Sequence, residues 1–257
     1  MNAAAHQSSA SPLVRFGNFL FRYRDTLFPA VLLLLFLGFR PQYPCGSERL
    51  DNLLDGLGVT VALTGQLLRL LAIGYVYIIR GGKNRRVYAK GLVTEGFFAH
   101  SRNPLYVGNL LVLLGLFLIH NNPWVYGLGI PFFLLSYAAI VVAEEAYLRG
   151  KFSLEYEAYA RAVPRWLPRV RGLRQSLGGM RFNWRRVVLK EYSSTYTWTA
   201  GAVVLLAADT LAYHSYQERA AYLNTLWACL ALLTLGWVAA RYLKKSRRLR
   251  EAPVVRG

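Results

Sequence analysis

The chain has 257 residues, is 54% hydrophobic and carries 31 Lys and Arg against 13 Asp and Glu, a formal net charge of +18. Apolar blocks separated by basic loops exclude an ordinary soluble domain and read as a polytopic membrane protein. The basic residues sit between those blocks, where anionic lipid headgroups are nearer than any nucleic acid, so no nucleic-acid partner is expected. Cys45 and Cys229 lie in unrelated segments and the four histidines are scattered, so neither a disulfide framework nor a metal site is suggested.

Residues 1–12 are small and polar and are expected to be disordered. Arg15, Arg22 and Arg24 precede a Pro-containing apolar run, which is not the pattern of a cleaved signal peptide. That run, Thr26–Phe39, is read as a first span, ended by Pro41 and Pro44. Leu57–Ile79, about 34 Å long as a helix, is the clearest span. Pro104–Ile119 and Trp124–Ala143 are joined by His120-Asn121-Asn122-Pro123, a link so short that they must form an antiparallel hairpin. Residues 144–195 are polar, aromatic and basic, and Tyr196–Tyr213 and Tyr222–Tyr242 read as the last two spans. No internal repeat is visible.

This parse places 27 Lys and Arg on one side of the membrane against Arg40, Arg49 and Arg219 on the other, with Arg69 inside a span. The asymmetry predicts six spans with both termini and the loops 80–103 and 144–195 cytoplasmic. The expected fold class is therefore an all-α polytopic membrane protein. Its segments are a cytosolic stretch 1–25, a membrane core 26–169, and a basic linker with a two-helix membrane extension over 170–257, divided near Pro168–Gly179.

The chemistry-bearing residues crowd the cytoplasmic ends of the hairpin. Asn103-Pro104 is a helix start, with an N-cap residue followed by proline at the first helical position. Its positive dipole end suits an anion, assisted by Arg102 and His100, or simply caps a membrane helix whose Arg102 snorkels to phosphate. Glu144 and Glu145 close the partner helix and oppose its macrodipole, so a cation should offset them: Arg149, Arg102 or a cationic ligand. Phe152, Tyr156 and Tyr159 share one face of a short helix, as in a headgroup-bound amphipathic helix or a pocket wall. Arg69 should face the bundle interior, and Gly108 and Gly115 should permit close helix packing.

The ordered set Gly96-Phe97-Phe98, Arg102-Asn103-Pro104-Leu105-Tyr106-Val107-Gly108, a helical hairpin, Glu144-Glu145-x-x-Leu148, Phe152, Tyr156-x-x-Tyr159 and Val163-Pro164-Arg165-x-x-Pro168 resembles the integral-membrane methyltransferases of the isoprenylcysteine carboxyl methyltransferase and phospholipid N-methyltransferase superfamily. The likeness covers roughly residues 57–169. It implies an S-adenosylmethionine pocket at the cytosolic helix ends, open laterally to the bilayer for a lipidic or prenylated acceptor. On that resemblance Arg102, Glu145 and Arg165 would be catalytic. Gly96, His100, Asn103, Pro104, Tyr106, Glu144, Glu145, Tyr156 and Tyr159 would bind cofactor. Asn103 stands where the family usually has His, and Ser153 where it usually has Gly. A membrane reductase of the sterol C14-reductase type, using NADPH, resembles the same region, and a non-catalytic membrane adaptor is the third reading.

Overall fold

The computed structural model describes residues 11–76 and 85–246. The expectations placed on residues 1–10, on Arg80 and Lys83, and on the basic tail beyond residue 246 lie outside the described residues. Within them the architecture is all-α. Six long helices run as α1 (Pro12–Gly38), α2 (Glu48–Tyr75), α3 (Pro104–His120), α4 (Pro123–Ala162), α6 (Trp184–Tyr213) and α7 (Ala220–Lys245), with a short α5 (Leu173–Gly178) on the linker. By length and composition α2, α4 and α7 can each cross a membrane, and α3 is a shorter apolar helix. The six long helices coincide with the six apolar segments of the sequence.

The boundaries extend past the apolar runs wherever a cap lies outside the run. Helix α1 starts at Pro12, where the Ser11 hydroxyl accepts from the Val14 amide. Helix α2 starts at Glu48 under the Ser47 cap, and α6 at Trp184 under the Asn183 cap. Helix α4 corrects the expectation of a loop after Ala143: it continues to Ala162, interrupted only at Ser153, which adopts φ 43° and ψ −114°. That left-handed conformation favours glycine, the residue usual at this position in the resembling family. Asn103 occupies the N-cap position of α3, but its side chain makes no cap bond; its Nδ2 donates to the Arg165 carbonyl instead.

Helix α2 packs on α3, α1 on α4, α6 on both α2 and α3, and α7 on α6. The α2–α3 contact is a glycine seam: a Cβ on Gly65 would lie 2.6 Å from the Gly108 carbonyl, and one on Gly58 2.7 Å from that of Gly115. The two pairs are seven residues apart on both helices, so the backbones meet along one face, as expected for Gly108 and Gly115. Phe28 of α1 anchors its helix on α4, with ring centroids 5.2 Å from Phe133 and 5.3 Å from Tyr137. Helix α7 leaves Leu232, Leu235 and Val238 exposed, an apolar surface suited to lipid.

Arg69 lies inside the bundle, 4% exposed, as its cost in hydrocarbon demands. Its guanidinium grips Glu191 of α6 from Nε at 3.0 Å and Nη2 at 2.7 Å, and also bonds Asn109 and Ser194. Gln66 joins Thr195 and Trp198 beside it. This buried polar layer ties the C-terminal helices to the core.

Candidate active site

Helix α3 begins and the second half of α4 emerges at the same end of the bundle. A strap formed by residues 164–169 closes over them. The Arg102 amide donates to the Pro164 carbonyl at 2.9 Å, the Arg169 amide to that of His100 at 3.0 Å, and the Ser101 hydroxyl to that of Trp166 at 2.8 Å. These backbone links bring Arg165 back onto α4.

Glu145, 4% exposed, is held by two guanidiniums. Arg102 Nη1 meets its Oε1 at 2.9 Å, while Arg165 takes both oxygens, Nε to Oε1 at 2.9 Å and Nη2 to Oε2 at 2.7 Å. The offsetting cation is thus Arg102, joined by Arg165. Arg149 is engaged elsewhere, with Glu157 at 2.6 Å. Next to this clamp runs a second chain of contacts: Arg24 Nη1 donates to the Tyr106 hydroxyl at 2.9 Å, and that hydroxyl to Glu144 Oε1 at 2.7 Å. The guanidiniums of Arg24, Arg102 and Arg165 thus face Glu144 and Glu145, with Asp25 also 3.8 Å from Arg24. Arg102 keeps one buried N–H, on Nε, without a partner. A buried cationic donor without a partner favours an anionic group placed against it.

Tyr156 is buried and stands edge-on to Tyr159, with centroids 6.2 Å apart; the Tyr159 hydroxyl donates to the Phe98 carbonyl at 2.7 Å. Arg102, Asn103, Pro104, Tyr106, Glu144, Glu145, Tyr156 and Tyr159 all line one cavity of about 2770 Å³. Arg165, Gly96 and His100 do not. The expectation that His100 assists an anion fails on geometry: its Nδ1 lies 2.6 Å from the Arg169 carbonyl and its Nε2 2.9 Å from the Ser176 hydroxyl, so it anchors the strap and α5. Gly96, at φ +59°, sits where a Cβ would come within 2.7 Å of Val76, and it shapes the loop rather than the cavity.

The cavity continues beyond the charged end as a cleft floored by α3 and walled by Phe28, Leu32 and Phe36 of α1 and by Trp198, Val204 and Leu205 of α6. It reaches His120, the last residue of α3, so it runs the length of that helix, about 25 Å. Arg24 and the α6 wall were not singled out in the sequence. Arg24 sits before the apolar run, and α6 lies beyond the recognisable motifs.

Residues 57–155 match the phospholipid methyltransferase family. Over 114 residues the chain is 36% identical to the cobalt-zinc-cadmium resistance protein CzcN of Cupriavidus metallidurans, covering 44% of this chain and 47% of that one. Against the nickel-cobalt-cadmium resistance protein NccN of Alcaligenes xylosoxydans xylosoxydans the figures are 32% over 114 residues, 44% and 48%. Protein-S-isoprenylcysteine O-methyltransferase B of Arabidopsis thaliana is 31% identical over 123 residues, 45% of this chain and 59% of that one. The matches span about half the length of these relatives. No solved structure matches.

Proposed function

We propose that this chain, whose residues 57–155 match the phospholipid methyltransferase family, transfers a methyl group from S-adenosylmethionine to an amphiphilic acceptor held in the bilayer. The observation that carries the reading is the continuity of one cavity, which joins the charged cluster at Glu144 and Glu145 to an apolar cleft along α3. A soluble acceptor has no use for the cleft, and a purely structural ion cluster has no use for the opening beside it. When bound, the cofactor would supply an electrophilic methyl on a sulfonium, which the acceptor oxygen or nitrogen would attack in line as the C–S bond breaks and S-adenosylhomocysteine leaves as a neutral thioether.

The residues present fit such a cofactor. The free Nε–H of Arg102 would receive its carboxylate. Glu144, whose Oε2 is not committed to Tyr106, would accept from its hydroxyl groups. Tyr156 and Tyr159 would wall the purine. Glu145 serves mainly as the clamp that aims Arg102 and draws Arg165 and the strap over the site. That revises the sequence-based role in which Glu145 itself held the cofactor and Arg165 met the acceptor. Arg24 stands where the cleft opens into the charged end, placed for the polar head of an acceptor whose chain lies between α1 and α6. A carboxylate acceptor needs no proton transfer, whereas an amine must first lose its ammonium proton to water or a nearby carboxylate; alignment and exclusion of water do the rest.

The positive-inside asymmetry supports a cytoplasmic position for this end. The metal-resistance names of two relatives are read as a physiological setting, since among the described residues the site offers no Cys or His donor set for those ions. Isothermal titration of the purified chain with S-adenosylhomocysteine and, separately, with NADPH tests the reading; binding of NADPH alone would favour the reductase.

A further inference from the structure

At the end of the bundle remote from Glu145, the fold gathers three carboxylates that methyl transfer does not use. Asp51 and Asp55 stand one turn apart near the start of α2, and Asp209 lies in the last turns of α6. One ligand oxygen from each lies within 4.8 Å of the other two. Asp51 and Asp209 are 2% and 5% exposed, and Asp55 is half-buried.

Three acids this close require something between them. Asn121 Nδ2 donates to Asp51 Oδ1 at 2.8 Å, but the Oδ1 atoms of Asp55 and Asp209 are sealed from solvent with no hydrogen-bond partner. Buried Asp209 thus stands beside Asp51 and Asp55 with one of its oxygens lacking a hydrogen-bond donor. On the same side of the bundle, Arg219 pairs with Glu48 at the surface, and the His214 ring lies 3.4 Å from that same carboxylate. Carboxylates left this way are strongly disfavoured unless an ion or protons compensate them.

We infer that Asp51, Asp55 and Asp209 ligate a hard divalent cation, best matched by Ca²⁺, which clamps α6 to α2. An all-oxygen donor set selects hard ions over those that favour nitrogen and sulfur. The oxygens lie within 4.8 Å of one another, close enough to share one ion, and the irregular, flexible shell of Ca²⁺ suits three carboxylates on two helices better than the strict octahedron of Mg²⁺. Half-exposed Asp55 gives the ion a way in, and water completes its shell. The C-terminal pair of helices is then held at two levels: by Arg69–Glu191 in one layer and by the ion at the far end. Ion binding here is independent of methyl transfer at the other end.

The full-length chain, purified in detergent and stripped with EGTA, is titrated with Ca²⁺ by calorimetry and melted with and without each metal. One Ca²⁺ per chain is expected, raising Tm by roughly 3–8 °C at saturation, with a smaller rise for Mg²⁺. Asp209→Asn and Asp55→Asn each abolish binding and shift while melting no lower than the stripped parent, because each relieves repulsion. Glu155→Gln, exposed and remote, leaves both unchanged. Absence of Ca²⁺ binding, binding that survives both Asp variants, or a larger shift with Zn²⁺ or Cd²⁺ overturns the assignment. Stabilisation by acid alone, without any response to Ca²⁺, would overturn it in favour of shared protons.

Discussion

Arg165 reaches back 20 residues to take both oxygens of Glu145, while Arg102 takes one of them from across the helical hairpin. One carboxylate thereby fixes the start of α3, the emerging part of α4 and the strap that covers them. Glu145→Gln keeps the shape but removes the charge that holds two guanidiniums. Charge-assisted hydrogen bonds contribute about 1.5–3 kcal/mol each, so S-adenosylhomocysteine affinity should fall about ten- to a hundredfold. Calorimetry on the purified variant checks this, and an unchanged affinity would confine Glu145 to a structural role.

Arg69→Leu removes the guanidinium that grips Glu191 in the bundle, and breaking a buried pair by removing one partner typically costs about 3–5 kcal/mol. The expected result is a large loss of thermal stability or of yield. The double variant Arg69→Leu, Glu191→Leu should recover part of it, because the buried carboxylate is removed with its partner. A single variant as stable as the parent would mean that the pair contributes nothing.

Much of this architecture was legible in the sequence, and the parts that were not share a cause. The hairpin was readable because two apolar runs flank Asn121-Asn122-Pro123, and the α2–α3 seam because Gly108 and Gly115 recur at helical spacing. The continuation of α4 was hidden because Glu144 and Glu145 look like a helix end by charge. The helix persists there because residues 146–162 are rich in Ala, Leu, Glu and Tyr, and because their charges find partners only after folding. Partners distant in sequence were equally invisible: Glu191 is 122 residues from Arg69, and Tyr106 is 82 from Arg24. Asp51 and Asp55 could have been noticed as acids one turn apart, but nothing local announces Asp209.

Ser153 holds a positive φ within α4, a conformation that costs a non-glycine residue about 1–3 kcal/mol. Ser153→Gly should therefore raise Tm by a few degrees without loss of cofactor binding, and Ser153→Val should lower it. Differential scanning fluorimetry decides between this outcome and a neutral site.

The glycine seam leaves no room for side chains. Gly65→Val would drive a methyl into the Gly108 carbonyl and part α2 from α3, with losses above the roughly 1–3 kcal/mol usual for overpacking. Gly127→Ala, where a Cβ meets nothing within 4 Å, should be neutral. Equal melting temperatures for the two variants would refute the seam.

Sidedness is open to labelling. In a background without Cys45 and Cys229, cysteines placed at Ser47 and Gln217 should react from the side opposite to one placed at Ser153. Ser153 and Gln217 reacting from the same side would break the six-span arrangement.

The proposed methyl transfer to an amphiphile in the cleft between α1 and α6 would join the charged cluster and the apolar cleft in one function. The direct measurement supplies methyl-labelled S-adenosylmethionine to the purified chain in vesicles made from its host's lipids and follows label into the organic-extractable fraction. Label is predicted there with the parent protein, with at least a tenfold loss in Arg102→Ala, which removes the guanidinium facing the cofactor. Absence of transferred label, together with no binding of S-adenosylhomocysteine to the folded protein, would contradict it.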